Sequence, residues 1–186
     1  MPKVRKNSIF DTEPTQDLMI KKLLILSILF CCSFFSLEAQ LIQDDFSDGD
    51  FTNNPTWQGN ISDFMVFGVT TTTELRLNAA TAGTSQIYAP ITTSDSTVWE
   101  FYLRMQFSPS SSNQLRVYLM SDNSDFSAAL NGYYLQIGET GANDAIEIYR
   151  QNGTTSTLLF RGINGNAATD PTEIRVKIVR NSIGSW

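Results

Sequence analysis

Val98 to Phe107 reads VWEFYLRMQF, and the whole fold follows from how that stretch alternates. Trp99, Phe101, Leu103, Met105 and Phe107 fall on one side of an extended chain, while Glu100, Tyr102, Arg104 and Gln106 fall on the other. Successive side chains of a strand point to opposite faces, so the segment predicts a β-strand with an apolar face on a core and a polar face in water. Working outward, the same alternation recurs at 115–120 (LRVYLM), 133–137 (YYLQI), 145–150 (AIEIYR), 157–161 (TLLFR) and 173–180 (EIRVKIVR). Weaker strand candidates lie at 64–69, 74–77 and 85–89. Turn-forming clusters separate them, among them Asn131-Gly132, Gln151-Asn152-Gly153 and Asn164-Gly165-Asn166. About nine short strands at this spacing predict an all-β, antiparallel sandwich over residues 41–186.

Composition narrows the chemistry. The 186 residues contain no histidine, which excludes histidine-dependent triads and His-ligated zinc or iron sites. From Leu41 onward there are 8 basic and 15 acidic residues, and that balance argues against a nucleic-acid surface. Thr, Ser and Asn supply 44 of the 146 residues in that part, so the expected surface is rich in hydroxyls and amides instead of charge.

The region before Leu41 reads as an address. Met19-Ile20-Lys21-Lys22 is a short basic segment, and 23–37 (LLILSILFCCSFFSL) is an uncharged apolar run leading to Glu38-Ala39-Gln40. That pattern predicts a signal peptide over 19–40 and a secreted or cell-surface product. As a helix the run would span about 22 Å, short of the roughly 30 Å of hydrocarbon that a membrane span must cross. No stable membrane span is therefore expected after cleavage. Residues 1–18 are polar and displace the basic segment from the N-terminus, which points to translation starting at Met19. Cys31 and Cys32 both lie inside the apolar run, so the mature domain is expected to have no disulfide.

The far end carries its own signal. Ile174, Val176 and Ile178 form a strong strand that runs into Arg180-Asn181-Ser182-Ile183-Gly184-Ser185-Trp186, a turn whose return strand has barely begun. A sandwich cut there is left with an unpaired edge, and the domain is accordingly expected to be truncated at its C-terminus.

Several short motifs in order carry a resemblance. They are Asp44-Asp45-Phe46-Ser47-Asp48-Gly49-Asp50-Phe51, Asn54-Pro55-Thr56-Trp57-Gln58-Gly59, Trp99-Glu100-Phe101-Tyr102, Ser112-Asn113, Asn131-Gly132-Tyr133-Tyr134 and Ile137-Gly138-Glu139. Together they make 43–186 resemble the N-terminal module of large secreted surface proteins of gliding bacteria, which often carry a lamin-tail domain downstream. The resemblance implies a concanavalin-A-like or laminin-G-like jelly roll, with Arg180 to Trp186 matching the closing Arg-x-x-x-Gly-x-Trp of such folds. It also implies export by the type IX pathway.

Catalytic candidates are sparse. Glycoside hydrolases on this type of jelly roll place an acid and a nucleophile on one strand about 5–5.5 Å apart. Here Glu147 has Ala145 and Tyr149 where partners would stand, so no enzyme is expected and Glu147 is read as a solvated strand residue. Asp44, Asp45, Asp48 and Asp50 miss the EF-hand spacing, and no metal ligand is assigned. Structural calcium stays open, because sandwich loops can pool oxygens from distant segments. Trp57 and Trp99 read as core more than as ligand contacts, Trp99 because it heads the apolar face, while Trp57 follows Pro55 in a loop and fits either role.

A binding face is the remaining candidate. Alternation places Tyr102, Arg104 and Gln106 on one wet strand face, Arg116 and Tyr118 on a second, Tyr134 with Gln136 on a third, and Glu147 with Tyr149 on a fourth. If those strands are neighbours, aromatic faces can stack on sugar rings while Arg, Gln and Glu bond hydroxyls. The plainer account is a set of ordinary cross-strand pairs. The expected function is a non-catalytic recognition or adhesion module binding glycan or an envelope partner. The alternatives are an ancillary domain of a larger nuclease, phosphoesterase or peptidase, and a structural spacer.

Overall fold

The computed structural model describes residues 42–69, 72–93 and 95–186, the side chain of Val69 excepted. The predicted signal peptide and the segment before it lie outside the described residues. Ten strands appear in chain order: β1 (Gln58–Gly59), β2 (Phe64–Val69), β3 (Thr72–Leu77), β4 (Ile87–Tyr88), β5 (Thr97–Met105), β6 (Leu115–Ser121), β7 (Leu130–Ile137), β8 (Glu147–Gly153), β9 (Thr155–Arg161) and β10 (Thr172–Arg180). A single 3-10 turn at Ile61–Asp63 is the one helical element among the described residues, and none of these residues forms a helix long and apolar enough to cross a membrane.

Every pairing is antiparallel. β6, β7, β8 and β9 form a four-stranded meander, while β5 pairs with β10 along its whole length, from Thr97↔Arg180 to Met105↔Thr172. The chain thus leaves β5, runs through the meander and returns to β5's side. Two smaller ribbons, β2–β3 and β1–β4, complete the set, and the sheets do not close into a barrel.

The core forms between the two larger sheets. Met105 from β5, Leu119 from β6, Leu135 and Ile137 from β7, Ile178 from β10 and the loop residue Ala167 are buried in one cluster. Trp99, Phe101, Leu103, Val117, Ile148, Ile174 and Val176 pack around it. The alternation around 98–107 therefore faces the way the sequence predicts up to Met105. Phe107 does not follow, since β5 ends at Met105 and Phe107 is exposed beyond it. Each aliphatic side chain taken fully from water into such a core contributes about 1.5–3 kcal/mol.

The chain end folds back on this core. Asn181 Oδ1 accepts the amides of Ile183 and Ser185, Gly184 turns through a φ of 79°, and Trp186 stacks on Trp99 with ring centroids 5.5 Å apart. The Tyr133 ring also packs on Trp186, with centroids 4.8 Å apart. Trp99 sits in the core as expected, with its indole N–H buried and without an acceptor. Trp57 is half-buried, and its indole N–H donates to Asp44 Oδ2 at 2.9 Å.

Candidate functional site

The outer face of the meander carries two parallel rows of side chains set by strand register. Tyr118, Tyr134 and Tyr149 are direct cross-strand neighbours, with Leu158 next on β9. One step along the strands, Arg116, Gln136, Glu147 and Arg161 form the second row in the same order of strands.

The tyrosine row is packed against itself. Ring centroids lie 5.1 Å apart for Tyr118–Tyr134 and 5.2 Å for Tyr134–Tyr149, the latter pair only 14° from parallel. Phe126, from the loop joining β6 to β7, stacks on Tyr118 at 4.3 Å and 9°. The backbone separation of strands, about 4.7–4.9 Å, holds the rings this close, and Tyr134 and Tyr149 stack face to face. Tyr134, in the middle, is only 2% exposed. Tyr134 is thus the buried floor of a groove rather than an exposed ring.

Polar groups tie the floor down. Tyr118 Oη donates to Gln151 Oε1 at 2.8 Å, and Gln151 Nε2 donates to the Gly153 carbonyl at 3.0 Å. Arg116 Nε donates to Gln136 Oε1 at 2.9 Å, with its guanidinium 5.2 Å from the Tyr134 ring centroid. Burial, with a smaller contribution from the Glu147 hydrogen bond, pushes the Tyr149 hydroxyl up to about 12. Desolvation likewise raises Tyr118.

Glu147 differs from its sequence reading. It is 6% exposed, accepts the Tyr149 hydroxyl at 2.7 Å, and is paired with Arg161. Arg161 also bonds Glu139, the Asn164 side chain at 2.9 Å and the Asn143 carbonyl at 3.3 Å. Those carboxylates hold the guanidinium charged far above any physiological pH, and Arg161 in turn lowers Glu139. The expected solvated residue is a buried anchor between β8, β9 and the loop before β8.

The groove above this floor has a volume of about 540 Å³ and is bounded by Arg116, Phe126, Ser127, Gln136, Gln151, Thr154 and Ser156 among others. The β6–β7 loop forms its wall and is braced from two sides. Asp122 accepts the Asn131 amide at 2.7 Å and its side-chain N–H at 2.8 Å, and Gln86 Oε1 accepts the Phe126 amide at 3.1 Å. Gly132 pairs with Ser121 just past the β6–β7 register shift: a Cβ there would stand 2.3 Å from the Met120 carbonyl oxygen, so any side chain would force the strands apart.

Of the six site residues expected from sequence, the meander brings four together: Arg116, Tyr118, Tyr134 and Tyr149. Tyr102 and Arg104 belong to the other sheet, apart from these four. Tyr102 lies opposite Arg175, whose guanidinium is 5.4 Å from its ring centroid. Arg104 bonds Glu173 at 3.2 Å and stands 3.8 Å from Glu74. Strand parity placed each on an outer face but could not say which sheet. Phe126, Gln151 and Ser156 were missed; Phe126 sits in an aperiodic loop, and Asn152-Gly153 had drawn the end of β8 back to Arg150.

The N-terminal aspartates serve as turn acceptors. Asp44, Asp45, Asp48 and Asp50 accept the amides of Phe46, Ser47, Asp50 and Thr52 at 2.7–3.0 Å. Among the described residues no group of three or more acidic, cysteine or histidine side chains is placed to share a metal ion.

The arrangement defines an all-β antiparallel protein with an open, polar-rimmed groove on one outer sheet face. No family model, curated protein or solved structure matches the chain.

Proposed function

We propose that this chain is a non-catalytic recognition module of a secreted or cell-surface protein, built as a jelly roll of the concanavalin-A-like or laminin-G-like kind, and that it binds glycan in the groove of the β6–β9 sheet. The observation that carries this reading is the groove's lining. A rigid aromatic floor supports a rim of hydroxyls, amides and one guanidinium, the mixture suited to a polyhydroxylated ligand. Thr154 and Ser156 present exposed side chains, and Gln136 and Gln151 each keep a second amide N–H beyond their internal bond. Glu147, held by Arg161 and Tyr149, is engaged in support of the floor, in keeping with a binding role. The return of β10 to β5 after the meander supports the jelly-roll reading.

Affinity electrophoresis of the full chain through gels containing neutral or acidic polysaccharides tests this. Retardation is expected in at least one gel, abolished by Ser156→Trp, which fills the groove, and unchanged by Tyr102→Ala. Retardation in none, or loss with Tyr102→Ala and not with Ser156→Trp, would overturn the reading.

A further inference from the structure

Arg116 is the cation of the groove, and its surroundings fix how it can be used. Its Nε donates to Gln136 Oε1 at 2.9 Å and an Nη to Gln114 Oε1 at 3.3 Å, while its guanidinium lies over the Tyr134 ring. Neutral amides and an aromatic ring thus orient it, and among the described residues no carboxylate is within ion-pairing distance. Arg104, Arg161 and Lys177 each have such a partner. A guanidinium has five N–H donors in a planar fork, so three are not taken by these two bonds, and the Tyr118 hydroxyl lies beside them. Arg116 is exposed, and the remaining donors belong to the end of the side chain. A cation preoriented in this way is a ready partner for an external oxyanion.

The other end of the same row has the opposite character. Glu147 and Glu139 share the single guanidinium of Arg161, which leaves one net negative charge there. Glu147 is two strands from Arg116, about 10 Å at ordinary strand spacing. The row beside the groove is therefore polarised, which favours an anion above Arg116 and a neutral hydroxylated part toward Tyr149.

We infer that the groove selects acidic sugars, with Arg116 pairing to the oxyanion of a uronate carboxylate or a sulfate ester through its outward fork. This rests on the glycan reading above and adds the class of sugar. The planar carboxylate matches the fork through two parallel N–H···O bonds.

The test is affinity electrophoresis of the full chain in gels of polygalacturonate, its methyl ester, dextran and dextran sulfate. Polygalacturonate is expected to bind at least tenfold more tightly than its methyl ester or dextran. Arg116→Gln should remove that preference, and Arg116→Lys should restore part of it. Near-ultraviolet circular dichroism checks that each variant keeps its aromatic packing. Binding of dextran sulfate without polygalacturonate, again lost with Arg116→Gln, would assign the sulfate ester as the source. Equal retention by polygalacturonate, its methyl ester and dextran, or a preference for acid that survives Arg116→Gln, would overturn the inference and leave the glycan reading standing. Retention by none of the four polymers would overturn the inference, whereas the glycan reading falls only if neutral and acidic polysaccharides beyond these also fail.

Discussion

The outer face of β6–β9 and the outer face of β5–β10 are written in the same alternating code, yet they are built differently. On β5–β10 the cross-strand partners are Val98 with Val179, Glu100 with Lys177, Tyr102 with Arg175 and Arg104 with Glu173. These pairs lie at the surface and no ring stacks on the next, although Tyr102 lies beside Glu173 and Arg104, and Arg104 also reaches Glu74 on β3. On β6–β9 the partners extend across the strands, so that Phe126, Tyr118, Tyr134 and Tyr149 support one another and the Arg116 to Arg161 row lies alongside. A two-stranded ribbon can offer pairs only, whereas a wider sheet can offer rows, and a row has interior members that are buried.

Tyrosine replacements break this comparison most strongly. Tyr134→Ala, at an interior position of the row, is expected to cost about 3–5 kcal/mol, as for other large aromatic truncations in packed sites. Tyr102→Ala removes one exposed contact with Arg175 and should cost about 0.5–1 kcal/mol. Urea unfolding of the two variants measures the contrast directly, and equal losses would mean that the row is no more cooperative than the ribbon.

The next effect concerns the anchor. Glu147→Ala strands the Tyr149 hydroxyl and one side of Arg161, and is expected to cost about 1–3 kcal/mol. The Tyr149 ionisation gives a second readout. Its folded value near 12 lies above the ordinary 10, so the protonated phenol is the form the fold favours. This contribution is fully present below about pH 10 and is lost as pH rises from there through about 12. A spectrophotometric tyrosine titration should show a late phase whose amplitude falls by one tyrosine in Tyr149→Phe.

Smaller effects follow on the loop and the ribbon. Phe126→Ala removes a stacked pair worth about 0.5–1.5 kcal/mol beyond its buried area, and should loosen the groove wall, seen as faster amide exchange at Phe126 and Ser127. Lys177→Ala, which breaks an exposed pair with Glu100, should change stability by no more than about 1 kcal/mol.

Particular residues show how far the sequence could be read. Period-two alternation assigned Trp99, Phe101, Leu103 and Met105 to the core and Arg116, Tyr118 and Tyr149 to an outer face, because parity is a local property of one strand. Which strands are neighbours is not local. Tyr102 and Arg104 share parity with Tyr118, and only the long-range pairing of β5 with β10 separates them. Glu147 has a polar neighbour on its own strand in Tyr149, but its burial comes from Arg161 on β9. Phe126 had no periodic signal at all, since its place over Tyr118 is set by its own amide donating to Gln86 and by its loop's Asp122 accepting from Asn131 of β7.

The most direct test of the β6–β9 face as the binding face is a residue-resolved titration of the isotopically labelled chain with galacturonate oligomers, followed by amide chemical shifts. Shifts confined to Arg116, Ser127, Gln136, Gln151 and Ser156, with 97–105 and 172–180 unmoved, are predicted. Shifts centred on Tyr102, Arg104 and Glu173 would contradict the account.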